Sequence, residues 1–85
     1  MRRIAVERVQ TGVRLEKRVL QVLKALAGLH ELTLGDLLEG IVLHAFEGKA
    51  PFEEATLKQI AQLKKVYGLD LDASASHRLR ERRPR

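Results

Sequence analysis

The sequence predicts a mainly α-helical fold with one short β-strand, completed only as a homodimer, and three observations carry that expectation. The hydrophobic rhythm of VQTGVRLEKRVLQVLKALA, residues 9–27, changes midway from every second residue to every third or fourth. Two further helical patterns follow, punctuated by glycine and proline. No second strand of comparable quality exists to satisfy the backbone of the first, so its partner is expected from a second copy.

Eighty-five residues make one small domain, near the size at which a single core is marginal. Apolar residues at 45% and charged residues at 32% are a globular composition, and aromatics at 4% leave the core to aliphatic side chains. Oligomerisation is the expected supplement. The absence of cysteine excludes a disulfide framework and thiolate zinc sites. With no charged-then-apolar leader and no apolar run near the roughly 20 residues of a membrane span, the expected location is the cytoplasm, away from membranes.

The net charge of +5 conceals a segregation along the chain. Residues 1–24 carry Arg2, Arg3, Arg8, Arg14, Lys17, Arg18 and Lys24 against Glu7 and Glu16, a net +5. Residues 25–57 reverse this, with Lys49 alone against Glu31, Asp36, Glu39, Glu47, Glu53 and Glu54, a net −5. Residues 58–72 are near balance at +1, and the tail from Ala73 carries +4 through five arginines against Glu81. Two basic ends flanking an acidic middle point to a polyanionic partner, for which nucleic acid is the commonest choice in a small basic protein.

The elements follow in order. Ile4 and Val6 fall on the opposite parity from the strand pattern, so residues 1–7 read as a basic arm. From Arg8 to Leu15, Val9, Thr11, Val13 and Leu15 alternate with Arg8, Gln10, Gly12 and Arg14, which makes one strand with an apolar and a polar face. From Glu16 the period is helical, with Val19, Leu20, Val22, Leu23, Leu26 and Ala27 on one side and Gly28 expected to close the helix. Thr33-Leu34-Gly35-Asp36 is a capping signature for a second helix that Gly48 ends. That helix is apolar on nearly all sides, more than one small chain covers, so a second copy is expected to bury it. Gly40, which costs roughly 1 kcal/mol relative to alanine inside a helix, fits a site where another helix crosses closely. The expected dimer core is Val13, Leu15, Leu23, Leu37, Leu38, Gly40, Ile41 and Val42. After the break at Pro51, Glu53 to Tyr67 forms a third helix stopped by Gly68. Residues 8–48 are thus the dimerisation and binding domain, 49–72 a helical extension, and 73–85 a flexible basic tail.

Strand, helix, short turn and threonine-capped helix, carried by VRLE at 13–16, the stripe from Val19 to Ala27, ELTLGDLL at 31–38 and the Ile41-Val42-Leu43 run, resemble the ribbon-helix-helix family over about half the chain, Val9 to Glu47. The resemblance implies a homodimer whose intermolecular two-stranded antiparallel ribbon enters the DNA major groove, with adjacent dimers on repeated half-sites. It implies base contacts from Gln10, Gly12 and Arg14, of which arginine suits guanine and glutamine suits adenine. It also implies a phosphate held by the backbone amides of Thr33, Leu34 and Gly35, with Arg2, Arg3, Arg8, Lys17 and Arg18 adding phosphate contacts. Gly12 departs from the family pattern, which places a polar side chain there. It either permits a bulge or close backbone approach, or marks a ribbon that serves another partner.

An enzyme is not expected. His30, His44 and His77 are dispersed, no phosphate loop or nucleophile–base spacing is present, and no cofactor or metal is implied. Two functional classes follow: a sequence-specific transcriptional repressor, and an antitoxin-like interaction module whose residues 53–85 bind a protein partner.

Overall fold

A computed structural model describes residues 3–82. It contains three α-helices, α1 (Lys17–Leu29), α2 (Leu34–Phe46) and α3 (Glu54–Tyr67), and a single 3₁₀ turn at Ala73–Ala75. Arg2, Arg83 and Arg85, counted above among the basic ends, lie outside the described residues.

The expected strand is absent. Residues 3–16 have no regular secondary structure, and no strand occurs among the described residues, so the ribbon-helix-helix fold class is corrected to an all-helical one. A strand is a property of a ladder, not of a segment, and Arg8 to Leu15 make no backbone hydrogen bond to any other described residue. Alternation supplies the side-chain pattern of a strand without supplying its partner. The expected burial fails with it: Val9, Val13 and Leu15 are 82%, 73% and 42% exposed instead of packed on the helices.

The helices begin and end for local reasons. Glu16 caps α1, its Oε1 accepting from the Val19 amide at 2.9 Å. Gly28 does not close this helix, which runs on to Leu29. The chain turns at Glu31, a non-glycine residue at φ +56°, with the Leu32 amide bonded to the Ala27 carbonyl at 2.9 Å and the Glu31 amide to Gly28 at 3.2 Å. Thr33 caps α2 as its sequence suggests, Oγ1 accepting from the Asp36 amide at 3.1 Å. Gly48 at φ +69° ends it, the Lys49 amide reaching the His44 carbonyl at 2.9 Å. Gly68 at φ +65° ends α3 in the same manner, with Leu69 bonded to Lys64 at 2.8 Å.

Among the described residues α1 is the one helix that packs on both others. Leu26, 1% exposed, is the centre of the core with Ala27 and Leu37, and Leu23, Ile41, Phe52, Ile60 and Leu63 pack around it. Arg18 near the start of α1 reaches Gly68 at the end of α3, and His30 past the end of α1 reaches Gln59 in α3 at 2.8 Å, so the two helices run antiparallel. Of the expected dimer core, Leu37 is buried and Leu23 and Ile41 pack beside it, whereas Val42 is 43% exposed. Gly40 has no close helix neighbour within the chain: a Cβ built there meets nothing within 4 Å. The space in front of it belongs to an open groove of about 470 Å³ floored by Leu26, Leu37, Ile41 and Phe52.

Candidate nucleic-acid interface

Arg3, Arg8 and Arg14 lie on an arm without regular secondary structure, residues 3–16, that leads directly into α1. Arg3, Arg8, Gln10, Gly12, Arg14 and Lys17 are all exposed. Ile4 and Val6 of the arm, 83% and 64% exposed, line an open groove of about 510 Å³ together with Leu38, Val42 and Leu43 of α2.

Arg8 fixes the arm beside α2. Its Nε and Nη2 donate to Oε2 and Oε1 of Glu39, each at 2.9 Å, a two-point fork on one carboxylate. Glu39 holds the Arg8 guanidinium above its ordinary pKa, helped by the charge of Asp36, and Arg8 in turn holds the Glu39 carboxyl below the usual range. Asp36 stands in the first turn of α2, one turn before Glu39, and its charge also acts on Arg8. There the amides of Leu34 and Gly35 are left without an intrahelical partner, while the Thr33 hydroxyl is already engaged by Asp36. Asp36 places negative charge on this end of α2, and an incoming phosphate meets that charge together with the helix dipole.

Arg14 donates to Glu81 of the C-terminal segment. Gly12, between Arg8 and Arg14 on the arm, is not demanded by the chain: its φ lies outside the left-handed region, and a Cβ there meets nothing within 4 Å. Lys17, at the start of α1, makes no ion pair among the described residues.

Arg18 is placed differently from the other proposed phosphate contacts. Its Nε donates to Glu16 at 3.0 Å, and its Nη1 donates to the Gly68 carbonyl at 2.9 Å and to Asp70 at 3.0 Å. The Glu16 bond is the chief reason its pKa rises, and the Val19 amide is the chief reason that of Glu16 falls. Arg18 is therefore committed to the fold, whereas Arg8, Arg14 and Lys17 are presented outward.

Sequence reasoning missed Glu39, Glu81, Glu16 and Glu31. The acidic sign of residues 25–57 was the one signal for Glu39, and nothing local connects residues separated by 31 or 67 positions. Among the described residues no group of three potential ligands is arranged to hold a metal ion, and no helix is long and apolar enough to cross a membrane. No family model, no curated protein and no solved structure matches the chain.

Proposed function

We propose that this chain is a dimeric, sequence-specific DNA-binding regulator of transcription that acts in the cytoplasm by occupying an operator. The observation that carries the reading is the arm: an exposed segment without regular secondary structure bearing Arg3, Arg8, Gln10 and Arg14, continued by Lys17 on α1. Such a segment has the reach to follow a groove and the donors to meet phosphates, and Arg14 and Gln10 have the chemistry to read guanine and adenine edges. A phosphate contact from Lys17 supplies affinity without sequence information.

The dimer is supported by surface that the single chain leaves open. On α2, Leu43 and Phe46 are 64% and 80% exposed on the side away from Leu37 and Ile41. Exposed apolar surface of this kind marks an interface, and a second copy of the chain is the partner this reading assigns to it.

The helical extension favours this reading over a segment reserved for a protein partner. Ile60 and Leu63 of α3 pack into the α1 core, so residues 54–67 contribute to the fold of their own chain.

Selection from random duplex DNA, followed by binding of Arg14→Ala and Lys17→Ala to the selected sequence, tests the function. Arg14→Ala is expected to lose roughly 1–3 kcal/mol of discrimination at one guanine, while Lys17→Ala weakens all sequences alike. Recovery of no preferred sequence, or an Arg14→Ala protein with unchanged discrimination, overturns it.

A further inference from the structure

We propose that Glu39 and Glu81 form an internal anion latch, occupying the Arg8 and Arg14 guanidinium groups in the free protein so that DNA must displace them to engage the arm. The latch rests on the DNA-binding reading above and concerns the regulation of the same surface.

Among the described residues the two ion pairs are the whole of the hydrogen bonding made by residues 3–15. Residues 3–15 make no backbone hydrogen bond and no other side-chain hydrogen bond among the described residues. Glu39 comes from α2 and Glu81 from the C-terminal segment, so two separate parts of the chain converge on one otherwise untethered arm. The acidic middle of the sequence thereby receives a role its composition alone does not define.

The chemistry of the pairing matches the chemistry it excludes. A carboxylate accepts the guanidinium fork with the same parallel two-point geometry as a phosphate, and the Arg8–Glu39 bonds show that fork fully used. Both pairs remain open to water: the Arg8 and Glu39 side chains are 66% and 45% exposed, those of Arg14 and Glu81 83% and 67%. Exposed pairs are weak and exchange readily, so a duplex that offers many phosphates and releases counterions outcompetes them, while an isolated phosphate or a short acidic segment does not. The latch therefore lowers affinity by the same factor for every polyanion that must displace it, so a ligand with few phosphates falls below useful affinity while a duplex with many still binds.

The experiment uses Glu39→Gln, Glu81→Gln and the double variant, with Glu47→Gln as a control that removes the same charge from the end of α2. Limited trypsin digestion without DNA, read by mass spectrometry of the released N-terminal peptides, reports whether the Arg8 and Arg14 side chains are free. Fluorescence anisotropy with a labelled duplex, and with a single-stranded oligonucleotide as the weak polyanion, reports the competition. Cleavage after Arg8 is expected to accelerate in Glu39→Gln and cleavage after Arg14 in Glu81→Gln, with Glu47→Gln unchanged. Single-strand affinity is expected to rise up to about fivefold per latch residue, beyond any gain in the control. Unchanged cleavage in a protein that does bind duplex overturns the latch alone. Faster cleavage with affinity gains no larger than those of Glu47→Gln also overturns it, because the tether then does not compete with nucleic acid. Faster cleavage in a protein that binds no duplex overturns the reading on which the latch rests.

Discussion

The Arg18 guanidinium donates to the Gly68 carbonyl at 2.9 Å, tying the first turn of α1 to the C-terminus of α3. Its remaining bonds, to Glu16 and Asp70 at 3.0 Å each, make it the node of a small network at one end of the helix pair. A cation bonded to a carbonyl at a helix C-terminus also complements the negative end of that helix's dipole. Arg18→Ala is expected to lower the melting temperature by several degrees. Arg18→Lys is expected to recover little of it, since an ammonium lacks the planar fork that meets three acceptors on two segments. Thermal denaturation followed by circular dichroism measures both, and a lysine variant that melts like the wild type contradicts the network.

Glu16 couples the same network to pH. Its carboxyl is held below the ordinary value of 4.5, first by the Val19 amide and then by Arg18. A carboxylate favoured in the folded state stabilises above its ordinary value, and that contribution is lost as pH falls through the lowered one. Glu39 and Asp72 shift in the same direction and add to the same slope. Urea midpoints are therefore expected to fall as pH drops below 4.5, and the gap between wild type and Glu16→Gln is expected to close over that interval. A gap that stays constant from neutral to acid pH rules out the cap as the origin.

Glu31 occupies a conformation that suits glycine. At φ +56° it carries the turn out of α1, and a side chain there costs roughly 1 kcal/mol relative to glycine. Glu31→Gly is expected to stabilise the protein by about 0.5–1 kcal/mol in equilibrium unfolding, whereas Gly68→Ala, at φ +65°, is expected to destabilise it by a similar amount. A destabilised Glu31→Gly variant contradicts the assigned turn.

Gly40 presents the opposite case. It lies within α2 with open space where a Cβ would stand. Gly40→Ala is expected to gain about 0.5–1 kcal/mol of helix stability. A loss instead, measured by unfolding at concentrations where the protein is dimeric, means that a helix of the second copy crosses there.

How much of this was legible in the sequence depended on whether the deciding interaction was local. Thr33, Gly48 and Gly68 act through hydrogen bonds spanning a few residues, and each helix boundary they set agrees with the expectation from the sequence. The end of α1 was misread because glycine is the usual residue at a left-handed turn, and here glutamate takes the turn while Gly28 stays helical. The strand from Arg8 to Leu15 was misread for a different reason. Alternating hydrophobicity describes how side chains would distribute on a sheet, but the backbone partner is a long-range fact, and the described residues contain none. The same limit applied to the interface: Arg8, Arg14 and Lys17 were visible as basic residues, while the fate of Arg8 and Arg14, paired with Glu39 and Glu81, and of Arg18, absorbed into the helix junction, depended on contacts across the fold.

Duplex binding by the wild type and by a protein lacking residues 1–15, measured as a function of salt, tests most directly whether the basic arm is a DNA-binding element. The account predicts that log affinity of the full chain falls linearly with log salt, that Lys17→Ala flattens the slope by about one contact, and that removal of the arm abolishes sequence preference and most of the slope. Affinity that is indifferent to salt, or that survives loss of the arm unchanged, contradicts it.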